Sequence, residues 1–165
     1  MSMSKPLIAE LAMEAANTKK IFERIPFDQL GWKPHEKSMP MGRLATHVAE
    51  LPGWITMTIN TDEFDLAAMT YKPTPVNSNE ELIALLDKNV QAAVEALEKS
   101  TDEDMMKIWT LRNGDHIIFQ LPKVAVIRGS AMNHSVHHRG QLTTYLRQHN
   151  IPVPGMYGPS ADEMN

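Results

Sequence analysis

The segment Asn133 to Gln141 reads NHSVHHRGQ and carries three of the chain's seven histidines, His134, His137 and His138. Imidazole binds divalent metals, moves protons near neutral pH, and sits in cores when it is hydrogen-bonded. Which of these applies depends on the side of the helix each ring takes. Ile127, Ala131, His134, His138, Leu142 and Tyr145 recur three or four positions apart, the spacing of one inward stripe on an α-helix. His134 and His138 then stack one turn apart, with Cβ atoms about 5–6 Å from each other. Two imidazoles so placed can hold one metal ion through nitrogen at about 2.0–2.1 Å.

Two helical ligands seldom make a tight site, and a third histidine is available. His47 falls between Leu44 and Leu51 on another apolar stripe. Packing alone does not call for an imidazole there, and a buried ring without partners destabilises the fold. A lone inward histidine is usually a hydrogen-bonded core residue. Three on two helices are better explained together, as a site of His47, His134 and His138 with open positions for water or substrate. The peptidase motif H-E-x-x-H is excluded, because Ser135 stands where the glutamate base would be. Glu50, one turn after His47, is the nearest carboxylate in sequence for a supporting or basic role, unless it is only a surface glutamate.

The other histidines read differently. His137 shares a stripe of small and polar residues with Ser130, Asn133, Gly140 and Thr144, which suits contact with a neighbouring helix or a second subunit. Gly140 in a helix interior costs about 1 kcal/mol relative to Ala, so a close backbone contact is expected to offset it. His35 and His149 fall in loop or helix-end contexts and are expected to be solvated. His116 follows a turn and has a weak claim.

These residues need helices to position them. Ser4 can cap a first helix, with Leu7, Leu11, Ala15, Thr18 and Phe22 on one face and Pro26 as its stop. Ser38 can cap a second, with Pro40 in its first turn and Leu44, His47, Leu51 and Trp54 on one face. Pro52 should kink it, because proline lacks a donor and crowds the carbonyl of Val48. Residues 60–77 read as a loop with at most one short turn. Ser78 and Glu81 make a capping-box pattern for a third helix through Leu82, Leu86, Ala93 and Leu97. Two apolar runs flank Asn113-Gly114, a hairpin signal. Helical period returns at Pro122 and lasts to about Gln148, where Asn150, Pro152 and Pro154 end it. The expected fold is all-α: a bundle of four long helices in one domain, residues 1–165, with a small β-hairpin before the last helix.

Composition narrows the chemistry. The 165 residues include no cysteine, which removes thiol nucleophiles, thiolate zinc sites and redox motifs and fits a reducing cytoplasm. The net charge of −4 gives no support to nucleic-acid binding. No apolar run approaches the roughly 20 residues that span a bilayer. The N-terminal stretch meets Glu10 and Glu14 instead of an apolar signal core, so no membrane partner or secretion is expected.

The segment NHSVHHRGQLTTYLRQHNIPVPGMYGPSADE closely resembles the C-terminal signature of DinB-like (DinB/YfiT) proteins. KSMPMGRLATHVAELPGW resembles the second-helix signature of the same family, and the match runs in order over nearly the whole chain. The resemblance implies an antiparallel four-helix bundle, often a homodimer. It also implies a divalent metal held by one histidine of the second helix and two of the last, which map to His47, His134 and His138. Three neutral imidazoles suit zinc or nickel first, and iron or copper as well. Relatives include thiol-dependent S-transferases and an isomerase. The resemblance therefore implies a metal-dependent thiol S-transferase or hydrolase acting on a small molecule, with a low-molecular-weight thiol as partner. The competing expectation is a stress-associated binding protein whose metal site is structural or vestigial.

Overall fold

The computed structural model describes residues 2–164. Its first helix, α1, spans Ser4–Phe22. The stripe Leu7, Leu11, Ala15, Thr18 and Phe22 is buried as the period requires. Ser4 lies inside the helix and Met3 takes the capping position, with its N–H donated to Asp102 Oδ1 at 2.7 Å.

The second helical region breaks at Pro52. Helix α2 covers Met41–Glu50 and α3 covers Gly53–Asn60. Ser38 does not cap α2. The loop before it does so with backbone, since Met41 N–H donates to Trp32 O at 2.8 Å and Gly42 N–H to Leu30 O at 2.9 Å. Glycine eases that approach: a Cβ on Gly42 would stand 3.0 Å from Leu30 Cβ, and the leucine would have to shift by a few tenths of an ångström.

Helix α4, Asn79–Lys99, starts on Ser78, whose hydroxyl accepts from Glu81 N–H. The expected reciprocal bond goes elsewhere, because Glu81 Oε2 accepts from Asn77 N–H at 2.8 Å. A short helix, α5 (Asp102–Met106), was not legible in the periodicity. A capping box between Thr101 and Asp104 starts it.

The hairpin is β2 (Ile108–Asn113) and β3 (His116–Pro122), joined by a turn with Gly114 at φ 59°. The sheet has three strands instead of two. Glu63–Asp65 of the supposed loop forms β1, parallel to β2, in the order β1-β2-β3. Asp65 Oδ1 accepts from Gly114 N–H at 2.9 Å and ties β1 to the turn. Three residues are too few to show alternation, and pairing with a strand more than forty positions away recruits them.

The last helical region runs as α6 (Lys123–Val126), a π-helical segment (Ile127–Asn133) and α7 (His134–Gln148). Asn150 closes it in the left-handed conformation at φ 56°. The aperiodic tail folds back, with Asp162 paired to Arg147 and Tyr157 reaching Glu14.

The chain is therefore mostly helical with one small sheet. Helix α4 packs on α1, α2 and α3, while α7 packs on α2 and α1. Among the described residues no helix is long and apolar enough to cross a membrane.

Two expectations from the last helix are corrected. A Cβ on Gly140 would meet nothing within 4 Å beyond its own helix, and Asn133, His137, Gly140 and Thr144 are exposed. Among the described residues nothing approaches Gly140 closely, so the neighbouring-helix half of that expectation fails and the second-subunit half is untouched. His149 is not fully solvated: it is half-buried, edge-on to Trp32 with ring centroids 4.6 Å apart.

Candidate metal centre

Helix α2 places His47 and α7 places His134 and His138, and the two helices pack together. One ligand atom of each ring lies within 4.8 Å of the others, an arrangement that could hold a metal ion. His134 Nε2 is 2.8 Å from His138 Nε2 and 3.5 Å from His47 Nε2. All three rings are partly buried. Among the described residues no carboxylate joins the group.

The far nitrogens of the α7 pair are occupied. His134 Nδ1 is 3.2 Å from the carbonyl of Ser130, and His138 Nδ1 is 2.7 Å from Gln141 Oε1. An oxygen acceptor requires N–H at each Nδ1, which assigns the tautomer and turns an Nε2 lone pair toward the cluster. Two such lone pairs 2.8 Å apart repel unless a proton or cation lies between them. A tetrahedral ion with bonds of about 2.1 Å would set its nitrogens about 3.4 Å apart, a small adjustment. The donor set and its outward hydrogen bonds fit a divalent ion.

The π-helical segment ends at Asn133, directly before His134. An extra residue in a turn rotates everything after it relative to everything before it, and such bulges often mark functional sites. The rings His134 and His138 thus face α2 without unwinding the helix. At the junction the Ser135 hydroxyl donates to Ala131 O at 2.9 Å.

Burial, before anything else, pushes the His47 pKa from 6.5 down to about 4, helped by the neighbouring His138 and His134 and by Arg43, with Glu50 opposing. Burial also lowers that of His138, against the bond to Gln141. Both rings stay neutral, as ligands must. Because the folded His47 resists a proton that the unfolded chain accepts, its stabilising contribution is present above pH 6.5 and is lost as pH falls toward 4. In chelator the melting temperature is expected to decline over that window. His47→Gln should flatten the decline, and an equally steep curve for that variant in a thermal scan would sink the assignment.

Glu50 does not bond to the histidines. Its carboxylate accepts from Tyr71 OH at 2.6 Å, Thr74 Oγ1 at 2.9 Å and Thr74 N–H at 3.2 Å. It anchors the 71–74 strap beside the site. The Tyr71 hydroxyl is held up to about 12 by burial and by that bond.

Two neighbours of the histidines carried no role in the sequence reading. Gln141, three positions after His138, also donates from Nε2 to the exposed His137 at 3.2 Å. Its i, i+3 spacing was the available signal. Arg43, four before His47, was visible the same way. Removing Gln141 frees the His138 ring to rotate. Gln141→Leu is expected to weaken metal binding by about 10–100-fold while leaving helical circular dichroism unchanged. Competition against a chromophoric chelator measures it, and unchanged affinity would mean the ring needs no such support.

Known proteins place this architecture. Residues 1–165 match the model of the DinB family. The chain is 31% identical over 154 residues to the uncharacterized protein YrdA of Bacillus subtilis (strain 168), covering 91% of this chain and 85% of YrdA. In structure it resembles a DinB-like protein of Bacillus subtilis, YjoA, with a TM-score of 0.71 and 20% identity over 94% of this chain and all of the other. It also resembles a DinB-like protein of Bacillus cereus ATCC 10987, with a TM-score of 0.66 and 25% identity over 88% of this chain and 92% of that one. With a family match from the first residue to the last, a relative of this identity, and the fold in common, the chain belongs to the DinB family.

Proposed function

We propose that this protein is a metal-dependent enzyme, a thiol S-transferase or hydrolase for a small molecule, with His47, His134 and His138 as its metal ligands. The observation that carries the reading is the convergence of Nε2 atoms, His134 and His138 at 2.8 Å, with both Nδ1 positions already bonded outward. Three protein donors leave coordination positions for a reactant, as catalytic centres do, whereas structural zinc is closed by four. A divalent ion held there supplies Lewis acidity, which lowers the pKa of a coordinated thiol or water. The chain's own part is to hold three imidazoles in place, with His47 and His138 kept neutral by burial, and to flank them with Arg43 and the Glu50-anchored strap. Zinc or nickel suits this donor set, with iron or copper next.

The four helical arms α1, α2–α3, α4 and α6–α7 are read as one antiparallel bundle. The open stripe at Asn133, His137, Gly140 and Thr144 is read as a face for a second copy in a homodimer. The test of function is a screen of the metal-loaded protein with thiols paired to small electrophiles, and with esters and amides for hydrolysis. Turnover that disappears in His47→Ala supports the reading. Full metal occupancy with no turnover across the screen would favour the structural alternative.

A further inference from the structure

Arg43 lies one helical turn before His47, and Arg43, His47 and Glu50 share a face of α2. Its guanidinium is only partly paired. Nη1 is buried and has no hydrogen-bond partner among the described residues. The nearest carboxylate oxygen, Glu50 Oε2, is 4.0 Å from Nη1, beyond hydrogen-bond reach. Glu50 is in any case occupied by Tyr71 and Thr74. Arg43 Cζ sits 4.6 Å from the centroid of the Tyr71 ring, a cation–π contact that holds the guanidinium in place and leaves Nη1 without an acceptor. The positive charge of Arg43 also acts on both His47 and His138.

A buried N–H without an acceptor is costly, and its persistence beside a reactive centre suggests that a ligand satisfies it. We propose that Arg43 is the anion-recognising residue of this site, its free Nη1 taking a carboxylate of the small molecule that the three histidines serve. The proposal rests on the reading of those histidines as the reacting centre. A carboxylate suits the surroundings better than a phosphate. One unpartnered nitrogen offers little to a dianion, and Glu50 sets a negative charge alongside. Tyr71 and Thr74 bond to Glu50 on that side, and Nη1 is buried, so a ligand reaches it only if the strap they belong to gives way.

The test uses cobalt(II)-loaded protein and two probes that differ in one charge, 3-mercaptopropionate and its methyl ester. Sulfur-to-cobalt charge-transfer absorption reads thiol binding without any turnover. Cobalt content is measured first, in the natural protein and in Arg43→Met and Arg43→Lys, and is expected to be equal in all three. The natural protein should then bind the acid about tenfold more tightly than the ester, the worth of one charge-assisted hydrogen bond. Arg43→Met should bring the two to near parity, and Arg43→Lys should retain part of the preference. A preference that survives intact in Arg43→Met overturns the proposal, since it would come from the metal alone. Equal binding of acid and ester by the natural protein overturns it too. Displacement of the acid by inorganic phosphate, in the natural protein and not in Arg43→Met, would assign the subsite to phosphate and reject the carboxylate. Failure of the natural protein to take up cobalt is a different result: it removes the metal reading itself, and this proposal with it.

Discussion

His138→Ala is expected to lower the affinity of this protein for a divalent ion by more than about tenfold, beyond what loss of a supporting outer residue costs at the low end. The reason is geometric. His138 supplies one of two nitrogens 2.8 Å apart, and His47 sits 3.5 Å from the other. Without His138 the remaining pair comes from two different helices, and each must hold the ion with one ligand. His47→Ala and His134→Ala should behave alike. His137→Ala should change affinity far less, because His137 is exposed, with its ring edge-on to His138 at 4.9 Å and its Nε2 bonded to Gln141 and not part of the cluster. The fold itself should survive, with helical circular dichroism retained both in the variant and after chelation. The core is extensive: Leu44, Ile55, Leu82, Leu97 and Trp109 are all at 0% exposure, so the chain does not need metal to fold. Elemental analysis with a competing chelator decides it. Undiminished metal in His138→Ala would exclude the ligand set.

The largest loss of stability is expected from Arg139→Ala. Arg139 follows His138 on α7 and so points away from the histidines, toward α1. It is 2% exposed. Its Nη1 donates to Glu14 O at 2.9 Å and Thr18 Oγ1 at 3.2 Å, and Nη2 donates to Glu14 Oε2 at 2.5 Å. Tyr157 OH donates to the same carboxylate at 2.8 Å, bringing the tail into the network. Truncation leaves the Glu14 carboxylate, 11% exposed, with only Tyr157 for a partner. Breaking such a buried pair from one side costs about 3–5 kcal/mol, which for a domain of this size lowers the melting temperature by roughly 10 °C. Glu14→Gln in the Arg139→Ala background should recover part of it, because the orphaned charge is what destabilises. Thermal and urea unfolding of the single and double variants measure the effect. A melting point within about 2 °C of the natural protein would show that the network contributes little.

This Arg139 anchor also bears on the metal centre. It fastens α7 to α1 on one side, so that His134 and His138 face α2 on the other. It was in plain view within HHRGQ, yet nothing in that stretch names its partner. Glu14 is 125 positions away, and only the packing of α7 on α1 brings them together. Glu50 shows the converse. Its spacing from His47 suggested a supporting carboxylate, and the structure directs it to Tyr71 and Thr74 in a loop without period.

What the sequence determined by itself was local and periodic. Stripes at steps of three and four place Leu7 to Phe22, Leu44 to Leu51, Leu82 to Leu97 and Ile127 to Tyr145 on helices, because the 3.6-residue turn is a property of consecutive residues. Pro52, Asn113-Gly114 and Asn150 marked breaks and turns through their own backbone preferences. The same arithmetic put His134 and His138 on one face and His47 on another inward face. The tertiary structure decided what depends on residues far apart in the chain. It brought the three Nε2 atoms together, and it supplied the Trp32 and Leu30 carbonyls that start α2. It recruited Glu63–Asp65 as a third strand and left Gly140 without a close neighbour in its own chain. The π-helical turn before His134 belongs there too. An α-helix and a π-helix differ by one residue in the step of their backbone hydrogen bonds, i→i+4 against i→i+5. The periodicity of Ile127, Ala131, His134 and His138 does not distinguish them, and the structure places the π-helical turn directly before His134.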